Sequence, residues 1–322
     1  MRRVSILVYE DAILSAISST LDILAGTNRF LMESGKPPVF EIELVSEKLK
    51  NIQLHHPAQF ICHKTLAEAN ETDLIIAPAF NGPPDDVLEK NRALINWIRS
   101  MVQRGAEAAS LCYGSYFLAE AGLLAGKPCT SHWMTVEHMQ RRYPRAMVLP
   151  DAVITDHEGI YTSGGAFSSL NLLLYLVEKF CGREVSVHIS KIFSVDLDRV
   201  SQAHFAVFQG QRDHGDPEIS EAQSYIEQKY NEDISIEEVA ARANMSRRNF
   251  VRRFKRATHN TPLEYLQRVK VEAAKKALEA GTHNVSTLMY EVGYNDARTF
   301  RTVFKRYTGL TPQSYREKYS RA

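Results

Sequence analysis

The stretch "SLCYGSYFLAEAGLLAG", residues 110–126, sets a lone cysteine, Cys112, between an apolar run and an Ala/Leu-rich helical stretch, with Gly114 two residues on. An apolar run that breaks at small residues and gives way to such a stretch reads as a strand turning sharply into a helix. Working outward, runs of strand length recur at 3–9 ("RVSILVY"), 39–46 ("VFEIELVS"), 73–80 ("DLIIAPAF") and 106–112 ("AEAASLC"). Stretches of helical length and apolar spacing lie between several of them, at 12–31 and 84–105. This alternation predicts an α/β domain on a mostly parallel sheet, and ligands of such domains bind beyond the carboxyl ends of the strands. Ala79-Phe80-Asn81 and Cys112-Tyr113 both fall at such ends.

The chain of 322 residues, 44% hydrophobic, is long enough for two domains, each with a proper core. No apolar run approaches the roughly 18 to 20 residues that span a bilayer. "MRRVSILVYEDA" meets Glu10 and Asp11 early and reads as a first strand, not a signal peptide. Four cysteines, Cys62, Cys112, Cys129 and Cys181, without CxxC spacing, predict a reducing compartment and a cytoplasmic protein. All but Cys112 are expected to be packing residues.

The net charge of +1 hides an asymmetry. "RDHGDPEIS" (212–220) has the composition of a linker. From Pro217 onward there are 19 Lys+Arg against 13 Asp+Glu, or +6, which leaves 20 against 25, or −5, for residues 1–216. The expected organisation is therefore a domain over 1–211, a linker over 212–217, and a basic domain over 218–322 suited to nucleic acid.

The basic part repeats itself. "ISIEEVAARANMSRRNFVRRFKRATHNTPLEY" (234–265) and "NVSTLMYEVGYNDARTFRTVFKRYTGLTPQSY" (284–315) match at an offset of fifty from Phe250/Phe300 through Tyr265/Tyr315, and at one less before that, pairing Ser235 with Asn284. Both of those are good helix N-caps. Each copy reads as a short helix, a tight turn ("ANMS", 243–246; "VGYND", 292–296) and a second helix, with Ser246 as a cap and Gly293 free to take a positive φ. Phe250 and Phe254, like Phe300 and Phe304, share one face and are core candidates. In "SRRNFVRRFKR" (246–256) six of eleven residues are basic and none acidic, a costly helix without an anionic partner. A helix fits the major groove, where Arg bonds guanine and Asn bonds adenine. Arg247, Arg248, Asn249 and Arg252 are the base-reading candidates, and Arg253, Lys255 and Arg256 the phosphate or flanking ones. The second copy offers Arg298, Thr299, Arg301, Thr302 and Lys305. "EYLQRVKVEAAKKALEAG" (264–281) reads as one helix holding the two copies apart.

Residues 218–319 resemble, on these repeats and on the closing "YTGLTPQSYR" (307–316), the DNA-binding domain of the AraC/XylS family of transcription regulators. The resemblance implies promoter DNA bound through two adjacent contacts per monomer. "ASLCYGSYFLAEAGLLAGKPCTSHW" (109–133) and "YTSGGAFSSLNLLLYLVEKFCGREVS" (161–186) resemble the nucleophile elbow and the glycine turn with its long helix in PfpI/ThiJ-type domains of the class I glutamine amidotransferase-like superfamily. They look most like its regulator branch. The implied architecture is a flavodoxin-like, mostly parallel α/β domain followed by an all-α double helix-turn-helix domain.

A thiol at a helix N-terminus is expected to have a lowered pKa. Catalysis needs a base and its orienting partner as well. Where hydrolytic members of the superfamily carry a histidine after the cysteine, a glutamate in the first helix and a glycine pair after the third strand, this chain has Tyr113, Ala16 and Ala79-Phe80. His132 is either a partner of Cys112 across the pocket or a packed structural ring. The expectation is no catalytic residue and no enzyme, but an effector pocket lined by Glu10, Phe80, Asn81, Cys112, Tyr113, His132 and Trp133. "LHHPAQFICH" (54–63) holds His55, His56, Cys62 and His63 without the spacing of a closed zinc site, so neither metal nor cofactor is expected. The expected partners are double-stranded promoter DNA, a small effector, a second copy of the chain and RNA polymerase, with no membrane. Rival readings are a cysteine-dependent hydrolase or hydratase fused to a DNA-binding domain, and a redox sensor through Cys112.

Overall fold

A computed structural model of the chain describes residues 1–48, 51–55, 57–197, 201–212, 214–281 and 284–320. It divides between Gln202 and Ala203 into two compact units. The boundary lies earlier than the 211/212 expected from composition, because the described residues from 203 to 216 pack onto the second unit.

In the first unit, β1 (Arg2–Leu7), α1 (Leu14–Glu33), β2 (Phe40–Ser46), the hairpin β3 (Asn51–Gln53) and β4 (Gln59–Ile61), β5 (Lys64–Thr65) and β6 (Leu74–Ala77) lead to α2 (Pro84–Lys90) and α3 (Arg92–Gln103). Then come β7 (Glu107–Ser110), α4 (Ser115–Glu120), β8 (Pro128–Cys129), α5 (Val136–Arg142), β9 (Met147–Val148), β10 (Ile154–His157), β11 (Ile160–Ser163), α6 (Ser168–Cys181) and α7 (Arg183–Ile192). The main sheet runs β10-β11-β7-β6-β1-β2-β5, parallel throughout except for the β10–β11 edge pair. Taking β1, β2, β6, β7 and β11 as first to fifth, the spatial order is 2-1-3-4-5, the flavodoxin-like arrangement whose ligand crevice opens between the first and third strands. Leu74, Ile75, Ile76 and Ala77 are all fully buried, which is why such central strands read as unbroken apolar runs. The helix expected over 84–105 is two helices. Asn91 divides it by leaving helical dihedrals (φ −109°, ψ 29°), its backbone amide and its buried side-chain amide both donating to the Val87 carbonyl, at 3.2 and 2.8 Å.

The second unit is helical: α8 (Pro217–Lys229), α9 (Ile236–Arg242), α10 (Arg247–Thr258), α11 (Pro262–Ala280), α12 (Val285–Glu291), α13 (Ala297–Thr308) and α14 (Pro312–Tyr319). Every cap read from the sequence is formed. Ser235 makes a reciprocal capping box with Glu238, Ser246 accepts from the Asn249 amide and Asn284 from the Ser286 amide. The turn of the second copy passes through Gly293 at φ +77°, and that of the first through its repeat partner Asn244 at φ +53°, a residue that tolerates this region better than most. Two cores follow the repeat, one around Phe250, Phe254 and Tyr265, the other around Phe300, Phe304 and Tyr315.

Candidate functional sites: a cysteine elbow and a basic helix pair

Cys112 follows β7 at φ +55°, a strained backbone for any residue but glycine, and this places the thiol at the apex of an elbow. Gly114 permits it. A Cβ there would lie 2.2 Å from the Ala77 carbonyl oxygen and 2.8 Å from that of Pro78, so only a bare Cα lets the elbow pass so close to the end of β6. The Cys112 amide donates to Ser163 Oγ at 3.1 Å.

The elbow does not activate its thiol. Burial pushes the Cys112 pKa up to about 11, outweighing hydrogen bonds from the Ala166 and Tyr113 backbone that pull it down. Desolvation thus opposes the lowering expected from the helix N-terminus. With the pKa raised from 9 to about 11, the thiolate at neutral pH is about a hundredfold scarcer than for an ordinary cysteine. Alkylation of the Cys112 peptide, followed by mass spectrometry, is expected to be slower at pH 7 by that factor and to accelerate until about pH 11. A rate at pH 7 matching an exposed thiol would contradict this environment.

Aromatic rings join the elbow to its surroundings. The Tyr113 ring lies 5.6 Å from Phe80 and 5.5 Å from His132, and His132 lies 5.2 Å from Trp133. His132 Nδ1 accepts from the Met134 amide at 3.1 Å, burial lowers its pKa, and its ring stands against Gly165, where a Cβ would come within 2.6 Å of Cδ2. Burial favours the neutral ring, which contacts Tyr113 and Trp133. Glu10 and Asn81 are exposed on the segments leaving β1 and β6, which are tied by the Asn81 amide donating to the Asp11 carbonyl at 2.9 Å.

Three groups escaped the sequence reading. Tyr9 is buried with its hydroxyl donating to the Pro78 carbonyl at 2.7 Å. Asp11 is buried against His55 Nε2 at 2.7 Å. Gln202 accepts from the Gly165 amide and donates to the Ser131 and Pro150 carbonyls, each at 2.9 Å. Only Asp11, a carboxylate at the end of an apolar strand, left a signal. Among the described residues no group of three or more His, Cys, Asp or Glu is placed to hold a metal. His63 Nδ1 accepts from the Leu44 amide and Cys62 is buried, while His56 lies outside the described residues.

On α10 the exposed face opposite Phe250 and Phe254 carries Arg248, Asn249, Arg252, Lys255 and Arg256, with Arg252 Nη2 donating to Asn249 Oδ1 at 3.1 Å. Arg247 is exposed and paired with Glu237 at 2.8 Å. Arg253, expected on phosphates or flanking the groove, is engaged within the protein. Its Nε and Nη2 donate to the Asp216 carboxylate at 2.7 and 2.9 Å, and Nη2 also reaches Glu218 at 2.7 Å. The repeat carried this signal: its partner position is Val303, buried in the second core. Arg298, Thr299, Arg301, Thr302 and Lys305 are all exposed on α13.

A cysteine-elbow α/β unit joined in one chain to paired helix-turn-helix units defines a composite class. A model of the DJ-1/PfpI family matches residues 3–179, and one described as a helix-turn-helix domain matches 239–318. The chain belongs to the DJ-1/PfpI family and carries an AraC-type helix-turn-helix domain. It is 26% identical over 227 residues to the HTH-type transcriptional regulator GbdR of Pseudomonas aeruginosa (strain UCBPP-PA14), covering 70% of this chain and 62% of that one. It is 25% identical over 226 residues to the HTH-type transcriptional regulator CdhR of P. aeruginosa, covering 70% and 67%. The match thus spans about 62% of the length of GbdR. Among solved structures, an AraC family transcriptional regulator from Pseudomonas putida aligns with a TM-score of 0.51 at 20% identity, over 60% of this chain and 100% of that one. Drosophila melanogaster DJ-1beta aligns at 0.51 and 16%, over 61% and 98%. These two likenesses concern the fold.

Proposed function

We propose that the chain is a sequence-specific DNA-binding transcription regulator whose N-terminal unit senses a small metabolite, mediates dimerisation, or does both. The observation that carries this reading is the exposed face of Arg248, Asn249, Arg252, Lys255 and Arg256 on the second helix of a helix-turn-helix, repeated in less basic form on α13. Its partners are double-stranded promoter DNA, an effector at the elbow, a second copy of the chain and RNA polymerase, in the cytoplasm. Among the described residues no helix is long and apolar enough to cross a membrane. The elbow works by binding, without turnover: burial favours the protonated Cys112 thiol, and the Nδ1 lone pair of His132 is taken by the Met134 amide. An effector there acts only in so far as it binds one arrangement of the protein more tightly than another.

Selection of full-length protein on a pool of random duplexes tests the reading. Two conserved boxes about 34 Å apart, one helical turn, are expected. Recovery of no common sequence would overturn it. Retention of DNA binding and effector response in Cys112→Ser is expected, and their joint loss would favour covalent chemistry at the thiol.

A further inference from the structure

The described residues between Ala203 and Asp216 have the composition of a linker and the contacts of a structural part. Ala203–Phe205 forms a single helical turn packed against α13, and Lys318 of α14 lies 3.0 Å from His204 Nε2 and 5.5 Å from the centre of the Phe205 ring. Those are contacts to the second helix-turn-helix. The chain then crosses α11, where Lys275 Nζ donates to the Ala206 carbonyl at 2.5 Å and Glu272 accepts from the Phe208 amide at 3.2 Å. Next it enters the first helix-turn-helix. The Phe208 ring packs 5.1 Å from Tyr265, the Gln211 carbonyl accepts from Gln223 at 2.7 Å, and Asp216 caps α8 while holding Arg253 of α10.

We infer that the described residues 203–212 and 214–216 are a strap that fixes the two helix-turn-helix units relative to each other, with Lys275 as its positioning residue. Lys275 is only 3% exposed and its ammonium is shared between Glu272, at 2.9 Å, and the strap backbone. Burying such a charge is expensive, and an apolar side chain of similar length would fill the same space without that cost. The cation supplies direction that packing alone does not: it holds one carbonyl of the strap at one place on the helix joining the two units. Lys270, 9% exposed on the same helix, does likewise for the second turn, donating to the Gly293 carbonyl at 2.7 Å. The residue preceding the strap, Gln202, accepts from the Gly165 amide at 2.9 Å in the glycine turn of the first unit.

The geometry of the strap stands apart from the DNA-reading proposal, and only its consequence for binding rests on that proposal. Nitroxides at Lys255→Cys and Lys305→Cys in full-length protein with Cys181→Ser report the α10–α13 distance by pulsed EPR. A single narrow distribution is expected in this parent. A broadened or displaced one is expected in Lys275→Met with Glu272→Gln, which leaves no unpaired buried charge, and in the separate variant His204→Ala with Phe205→Ala, whose changes lie nearer the surface. Unchanged distributions in folded protein would overturn the strap. On DNA, the first variant is expected to lose roughly tenfold in affinity for a two-box duplex, through the effective concentration of the second contact, and nothing for a single box. Equal losses on both duplexes would also overturn it. Failure of the unlabelled chain, with Lys255 and Lys305 in place, to bind either duplex would contradict the DNA reading, while the EPR result still decides the strap.

Discussion

Replacing Gly114 with alanine is expected to destabilise the N-terminal unit by about 3 kcal/mol, the upper part of the range for overpacking a close-packed site. The added methyl would meet two backbone carbonyl oxygens, of Ala77 and Pro78, and neither can rotate away as a side chain would. Relief requires moving the end of β6 or flattening the elbow, and both disturb the Cys112 backbone at φ +55°. Gly35→Ala is the control. Gly35 has φ +72° with nothing within 4 Å of the added carbon, so it bears only the conformational strain of about 1 kcal/mol. Urea unfolding followed by hydrogen exchange within residues 1–202 separates this unit from the other, since a two-unit chain need not melt in one step. Equal costs for the two substitutions would show that the close approach at Gly114 is not what selects glycine there.

The second large effect concerns the basic face. Arg248→Ala and Arg252→Ala are each expected to cost about 1–3 kcal/mol at a selected site, roughly 5- to 150-fold in affinity, and to relax preference at one base position. Arg253→Ala, at the neighbouring position, is expected to behave differently. It leaves the partly buried Asp216 without its cation, so the C-terminal unit melts at lower temperature while base preferences at the site persist. Titrations with single-base variants of the duplex, alongside melting curves, distinguish the two behaviours. Loss of base discrimination in Arg253→Ala, with none in Arg252→Ala, would place the wrong face of α10 against DNA.

These contrasts also mark how far the sequence carries. The central strands were legible because a strand buried on both faces leaves a continuous apolar run, as "DLIIAPAF" does. Helix starts in the second unit were legible because capping is local chemistry: Ser235, Ser246 and Asn284 act on amides two or three residues away. Two-residue strands such as β5 and β8 leave too little pattern to read, and the break at Asn91 is one residue leaving helical dihedrals inside an otherwise continuous apolar pattern. The pairing of Arg253 with Asp216 and Glu218 is not visible in a count of charges, which ignores the face each occupies; the repeat, with valine at the matching position, places it at the buried edge. The strap escaped for the opposite reason. Its Gly and charged residues look like a linker, and only tertiary packing shows that Gly210 makes room for the Tyr265 hydroxyl and that Lys275 lies buried beneath Ala206. At Cys112 the helix-end chemistry is visible in the sequence, and the burial that opposes it is not.

The most direct measurement is a titration of full-length protein on the selected two-box duplex and on a scrambled duplex of the same composition, over a range of salt concentrations. Reading by α10 and α13 predicts a preference of roughly a thousandfold or more for the selected duplex. It also predicts affinity falling with a log–log salt slope of about −5, as expected for some six phosphate contacts. Equal affinity for the two duplexes, or binding indifferent to salt, would contradict it.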